Sequence, residues 1–193
     1  MISSKADYID HINQDKKALG IKSNGIGGKI MDYLSPNYIW KFQKTMRKLE
    51  YYSNCKNKGV TKLYVAYLKY KFKKISVKLG FSIPINVFGP GLSIVHYGTI
   101  VINRNTKIGR NCRMHACVNI GASGGEKGAP QIGDNVYIAP GAKIYGDIKI
   151  ASNIAIGANA VVNKSCEQEN VALAGVPAKP IGNVDIKKII KHI

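Results

Sequence analysis

The sequence predicts a mainly β protein: a solenoid of short parallel strands in triangular coils, preceded by an α-helical segment. Three observations predict it. Aliphatic residues return every six positions from Ile102 to Val162. Glycine follows that aliphatic residue at Gly109, Gly121, Gly133 and Gly157. Before residue 80 the apolar spacing is helical instead.

The helical region comes first. Pro36 divides it into a short first part and a longer second part. In the second, Tyr38, Trp40, Phe42, Met46, Leu49 and Tyr52 recur at roughly helical spacing. After the turn at 57–59, Leu63, Tyr64, Tyr67, Leu68, Tyr70 and Phe72 do the same, with lysines between them. Two helices packed on the rest of the chain with solvated basic faces account for this. So does a basic aromatic surface that meets a membrane leaflet. Gly80 stops the pattern.

The repeat follows. Ile102, Ile108, Met114, Ile120, Ile132, Ile138, Ile144, Ile150, Ile156 and Val162 are in phase. Four residues after these come Thr106, Cys112, Val118, Val136, Ala142, Ile148, Ile154 and Ala160, small or aliphatic. A six-residue period fits neither a helix nor a simple hairpin sheet. It fits coils whose short sides are each one strand and one turn, the aliphatic residue pointing inward. One beat is missing, at Glu126, so 122–130 is expected to leave the prism as a polar, glycine-rich loop.

Composition narrows the function. The 193 residues carry 29 Lys+Arg against 11 Asp+Glu, a net charge of +18, and no carboxylate lies between Glu50 and Glu126. Such a field attracts an anion: nucleic acid, anionic lipid or a phosphate-bearing cofactor. The 45% hydrophobic content excludes a disordered chain, and the length suits one domain with a small appendage. No apolar run approaches the ~20 residues of a membrane span. The four cysteines form no CxxC pair, which argues against a disulfide framework or structural zinc. A polar N-terminus and this cysteine usage predict a cytoplasmic chain, placed at the inner face of the membrane if the basic helices touch it.

From about Ile83 to Gly182 the chain resembles the hexapeptide-repeat acyltransferases, and the resemblance implies a left-handed parallel β-helix. Ala174-Gly175-Val176-Pro177-Ala178-Lys179 is similar to the segment that closes that helix. The run from Gly91 to Ile102 resembles the serine O-acetyltransferase branch. Residues 86–91 and 114–121 resemble that branch's relatives in capsule and lipopolysaccharide synthesis, which acetylate sugar hydroxyls. The expected division is a helical region at 1–80, a β-helix acyltransferase domain at 81–182 and a basic, helical tail at 183–193.

The resemblance implies site residues. His96 stands where this branch keeps its catalytic histidine, and an imidazole is the natural base for a hydroxyl proton at neutral pH. His115 follows the inward Met114, so it points outward, toward a cleft between prisms of a homotrimer. His11 and His192, in the terminal segments, read as solvated. Two histidines near the β-helix are too few for a three-histidine zinc site, so no metal is expected. The serine branch has an aspartate before its histidine; here Val95 stands there. A backbone carbonyl, Asn86, Glu126 or Asp134 must then orient His96. Acceptor contacts fall to Asn86, Tyr97, Glu126 and Lys127. The branch's second acceptor histidine is absent, because Ala129 precedes Pro130. For acetyl-CoA, Gly121, Gly141, Ala142 and Ala158 allow close approach of the pantetheine arm, and Lys164 and Lys179 meet its phosphates. Cys112 reads as a small buried hydrophobe.

The resulting expectation is an acetyl-CoA-dependent O-acetyltransferase of surface polysaccharide synthesis, with a sugar or lipid-linked glycan as acceptor. Serine O-acetyltransferase is the alternative within enzymes. A non-catalytic basic β-helix scaffold is the alternative outside them. No nucleic-acid partner is expected, since no reading motif is present.

Overall fold

A computed structural model describes residues 1–21 and 36–193. Part of the predicted helical region, 22–35, lies outside the described residues. Among the described residues, three α-helices precede the strands: α1 (Lys5–Ala18), α2 (Tyr38–Cys55) and α3 (Thr61–Leu79). The Ser4 hydroxyl caps α1 by accepting from the Asp7 N–H, and the Asn37 side chain caps α2 by accepting from that of Trp40. Gly80, with φ of 76°, ends α3 in the left-handed conformation that glycine adopts without strain.

The strands follow coil by coil. The first coil holds β1 (Phe81–Ser82) and β2 (Ser93–Ile94). The second holds β3 (Ile100–Ile102), β4 (Lys107–Ile108) and β5 (Arg113–Met114). The third holds β6 (Asn119–Gly121), β7 (Gln131–Ile132) and β8 (Tyr137–Ile138). The fourth holds β9 (Lys143–Tyr145), β10 (Lys149–Ile150) and β11 (Ala155–Ile156). The fifth holds β12 (Val161–Val162) and β13 (Val171–Gly175), and β14 (Ala178–Asn183) returns antiparallel on β13. Stacking the coils makes three parallel faces. The first is β1-β3-β6-β9-β12, the second β4-β7-β10, and the third β2-β5-β8-β11-β13, edged by β14. This is the left-handed hexapeptide-repeat β-helix, with helices at its N-terminal end.

Both in-phase sets of the repeat point inward. Ile102, Met114, Ile120, Ile138, Ile144 and Ile156 are buried, and so are Thr106, Cys112, Val118, Val136, Ala142 and Ala160. Burial in this apolar column pushes the Cys112 thiol up to about 12. The missing beat is the loop 122–130, which leaves at the corner between the first and second faces.

The corner between the second and third faces is stitched by asparagines. Asn111, Asn135 and Asn153 all have φ between 55° and 60°, a region asparagine tolerates better than other residues with a Cβ. Each passes a hydrogen bond up the stack: Asn111 Nδ2 donates to Asn135 Oδ1 at 2.8 Å, and Asn135 Nδ2 to Asn153 Oδ1 at 2.9 Å. Below Asn111 the ladder position is Gly91, where a Cβ would collide with the Asn111 side-chain oxygen Oδ1.

The helices close the lower end of the prism. Phe42, Met46, Ile75 and Leu79 join the same core as the coils, and Phe42 packs edge-on to Phe81. The first coil would otherwise leave its backbone polar groups unpaired. A buried ionic cluster takes them instead. Arg47 donates to both oxygens of Asp15, to Glu50 Oε2 and to the carbonyls of Phe88 and Gly89. Asp15 Oδ1 also accepts the N–H groups of Gly91 and Leu92, each at 2.9 Å, and Glu50 Oε1 accepts that of Asn86. Gln43 donates to the Leu92 carbonyl. Two carboxylates beside the Arg47 guanidinium hold its proton more firmly than usual, against the cost of burial.

The tail forms a single 3-10 turn, Ile186–Lys188, capped by Asp185. Ile186 and Ile190 lay it over Ala155, Tyr137 and Ala172 on the third face. His11 is buried, not solvated: its Nδ1 bonds the Asp7 carbonyl, and its Nε2 has no partner among the described residues.

Candidate active site

The corner between the third and first faces carries the histidines. His96 follows β2 in the first coil, and His115 follows β5 one coil above. The register Ile94↔Met114 brings them together, with ring centroids 5.6 Å apart. His96 is exposed and His115 half-buried. Tyr137, a coil higher, packs edge-on to the His115 ring at 5.4 Å. Partial burial, then the Arg113 guanidinium and His96, lower the affinity of His115 for a proton. His115 is therefore neutral at neutral pH and able to hydrogen-bond as donor or acceptor. Tyr97, beside His96, is 74% exposed.

The same corner continues upward through Ala116 and Cys117, then Gly141, then Ala158. The Gly141 N–H donates to the Ala116 carbonyl, and the Asn159 N–H to the Pro140 carbonyl. Gly141, at φ 77°, faces the Asn159 side chain where a Cβ would stand. Ala158 is exposed. Ala142 is turned fully into the prism, so its methyl cannot line a ligand track. Gly121, on the first face, is open: an added Cβ would meet only Asn119 Oδ1, at 3.7 Å.

Other expected site residues stand at the opposite edge of the first face. Asn86 is consumed by structure. Its N–H goes to Glu50, its side chain pairs with Asn54, and its carbonyl accepts from Lys107 Nζ. Glu126 and Lys127 are exposed at the tip of the loop, and the Lys127 carbonyl accepts from Asn105 Nδ2. One chain therefore does not bring Asn86, Glu126 or Lys127 to His96. Asp134 is also engaged elsewhere, accepting from the Arg110 N–H at 2.7 Å. Among the described residues nothing is hydrogen-bonded to the His96 ring. Lys164 and Lys179 do come together, lining a cavity of about 300 Å³ at the top of the prism with Ser165, Pro177 and Ala178. Among the described residues, no three His, Cys, Asp or Glu side chains converge as metal ligands would.

Sequence reasoning missed Tyr137, Arg113 and Lys143, whose Nζ donates to the Cys117 carbonyl on the histidine corner at 2.7 Å. The signal was positional. Residues just before the inward aliphatic share a face, and Arg113 and Tyr137 are such neighbours once the loop is counted into the coil.

Comparison with known proteins gives the expected fold and the expected class of acyl transfer, with relatives that use a different acceptor from the one expected. Residues 129–164 match the family model "Bacterial transferase hexapeptide (six repeats)". A serine acetyltransferase of Staphylococcus epidermidis (strain ATCC 12228) is 45% identical over 91 residues, 46% of this chain and 42% of that protein. The serine acetyltransferase of Staphylococcus aureus (strain N315) is 44% identical over the same span. The chain thus covers under half the length of these curated relatives. Among solved structures, serine acetyltransferase from Brucella abortus strain S19 is similar with a TM-score of 0.72 at 23% identity, over 94% of this chain and 72% of that one. A serine acetyltransferase complex with CoA gives 0.67 at 23% identity, over 92% and 71%. At that identity the structures show the fold alone. The sequence relatives are serine acetyltransferases, and they overturn the expectation of a polysaccharide enzyme with a sugar or lipid-linked glycan acceptor. Val95 and Ala129 stand where the serine branch has an aspartate and a histidine, but both are alkyl side chains, Ala129 is buried, and neither carries a polar group that could select a sugar.

Proposed function

We propose that this protein is an acetyl-CoA-dependent serine O-acetyltransferase. One observation carries the reading: His96 and His115 are paired on one corner of a hexapeptide β-helix whose sequence relatives carry out that reaction. His96 is the general base. Its free imidazole nitrogen takes the hydroxyl proton of serine as the serine oxygen attacks the thioester carbonyl carbon. The carbonyl π electrons move to oxygen. Their return breaks the carbon–sulfur bond, and His96 gives its proton to the departing thiolate, which restores the neutral imidazole. Proton transfer by a positioned side chain is worth ~10²–10⁴-fold. His115, neutral and half-buried, holds the acceptor by hydrogen bonding, and Tyr137 fixes its ring. No acyl-cysteine is required, and Cys112 is sealed in the core.

The acceptor's carboxylate and ammonium need charged partners, and the loop supplies Lys127 and Glu126. They stand at the far edge of the first face, so they reach a histidine corner only when prisms pack side by side. A homotrimer satisfies this: the loop of one chain meets the His96 corner of its neighbour. The pantetheine arm then runs along the first face past Gly121 and Gly141, toward the Lys164 and Lys179 cavity for its phosphates. The enzyme works in the cytoplasm, with its basic helices available to an anionic membrane.

The test is thiol release from acetyl-CoA with L-serine. Turnover with kcat/KM of at least ~10⁴ M⁻¹s⁻¹, the lower end of ordinary enzymes, is expected. Thiol release with another alcohol or an amine, and none with serine, refutes the acceptor. A clean monomer in sedimentation equilibrium at micromolar concentration refutes the shared cleft.

A further inference from the structure

Helix α3 buries only one of its faces. Val65, Leu68, Ile75 and Leu79 pack inward. Away from them, Val60, just before the helix, and Leu63, Tyr67, Tyr70 and Val77 are 84, 77, 52, 65 and 68% exposed. Their spacing of three, four, three and seven residues draws a single apolar stripe along the whole helix. At 1.5 Å per residue the stripe is about 26 Å long. At roughly 100° per residue, Lys62, Lys69 and Lys73 fall on one margin and Lys71 and Lys78 on the other, with Lys74 inside it. No carboxylate lies on α3. A groove of about 560 Å³ beside the helix adds Lys41, Lys44 and Lys48 from α2. There Lys44 sits over the Trp40 ring and Lys48 over the Tyr64 ring, each 5.3 Å from the centroid. The only ion pairs among the described residues belong to Arg47, so none of these lysines is paired with a described carboxylate.

The charge decides the occupant. A second copy of α3 would bring lysine margins against lysine margins with no acid to separate them. A nucleic acid would satisfy the lysines and leave Val60, Leu63 and Val77 in water. An anionic bilayer satisfies both, with phosphates for the lysines and an acyl boundary for the stripe. Aromatic rings beside the lysines suit the headgroup layer, where one end of a tyrosine is apolar and the other wet. No helix of the described residues is long and apolar enough to cross a membrane, so the contact is peripheral. We propose that α3 lies flat on an anionic phospholipid surface, its Leu63–Val77 stripe in the interface and its flanking lysines on lipid phosphates. This inference rests on the helices alone and stands or falls separately from the acyl-transfer reading.

Flotation of the full chain with vesicles of phosphatidylcholine alone, or with about a third phosphatidylglycerol, tests it. Binding to the anionic vesicles, weak binding to the neutral ones and loss on raising salt are expected. The variant Leu63→Ser/Tyr70→Ser/Val77→Ser should lose at least tenfold in partitioning. Lys62→Gln/Lys69→Gln/Lys73→Gln should lose about fivefold per lysine, from ~1 kcal/mol per cation at the surface. All these side chains are exposed, so circular dichroism should be unchanged and confirms folding. The proposal is overturned by equal binding of the stripe variant, by equal binding to neutral vesicles, or by a smaller assembly when the stripe is made polar, which would assign the face to a second copy. Release by millimolar inorganic phosphate with no effect of the stripe variant also overturns it, leaving a soluble-anion groove.

Discussion

Asp15→Ala should be among the most damaging single changes in this chain, though the residue lies far from the histidines. Its carboxylate is fully buried and receives four hydrogen bonds: two from Arg47 and one each from the Gly91 and Leu92 N–H groups. Removing it leaves the Arg47 guanidinium with only Glu50 as counter-charge and two backbone donors with no acceptor. Breaking a buried pair from one side costs about 3–5 kcal/mol. Each orphaned donor costs about 1–3 kcal/mol more in isolation. These contributions overlap, because the same collapse or water entry relieves them together, so about 4 kcal/mol is the working figure. At 2–4 °C per kcal/mol for a chain of this size, Tm should fall by roughly 8–16 °C. The assay is urea and thermal unfolding by circular dichroism, run as a cycle with Arg47→Met. In the Arg47→Met background Asp15→Ala should cost less, since no buried cation is left stranded; the coupling should be on the order of 1–3 kcal/mol. A loss under about 1 kcal/mol for Asp15→Ala, or strict additivity in the cycle, would refute the claim that this cluster anchors the helices to the first coil.

His96→Ala should lower kcat by ~10²–10⁴-fold with the fold and CoA affinity nearly unchanged; near-normal turnover of serine removes the general base. Acid should destabilise the chain. His11, His115 and His192 are all pushed below the ordinary histidine value by burial, the first helped by Arg47 and the others by neighbouring cations. The unfolded chain therefore binds more protons as pH drops through ~6.5, so stability is complete above that value and declines below it. Urea midpoints at pH 7.5 and 5.5 measure this, and an equal or higher midpoint at pH 5.5 contradicts it. Thiol labelling of the native protein should modify exposed Cys117 and spare Cys112 until unfolding; equal rates at both would mean that the prism core is open.

The β-helix was legible because each coil restates it: Ile102, Ile120 and Ile144 occupy the same inward slot of the first face in successive coils. The loop was legible for the complementary reason, as the one beat the repeat omits. Corner register was not. The step from Ser93 to Arg113 is longer than the simple repeat, so uniform counting leaves the contact between His96 and His115 unseen. The Asp15, Arg47 and Glu50 cluster was illegible too. Its partners on the coil are backbone groups of Phe88, Gly89, Gly91 and Leu92, which carry no side-chain signature. The orienting group for His96 could not be read, since the candidates in the sequence, Asn86, Glu126 and Asp134, serve other corners. The acceptor was misread because Val95 and Ala129 mark only what is missing from the serine branch's pattern; neither alkyl side chain carries a group that would select a sugar.

The two ends of the coil stack bear on how the protein avoids becoming a fibre. A parallel solenoid is a ready template, because the last coil displays the same edge that bound the coil before it. Here each end carries a cover that interrupts that edge. At the bottom, two carboxylates and a guanidinium occupy the backbone groups a further coil would need. At the top, β14 turns back antiparallel on β13 and breaks the direction of stacking. The polypeptide carries its own start and stop for a structure with no intrinsic length. A chain cut after Gly175 would expose a bare parallel edge, and its natural ligand would be another such chain.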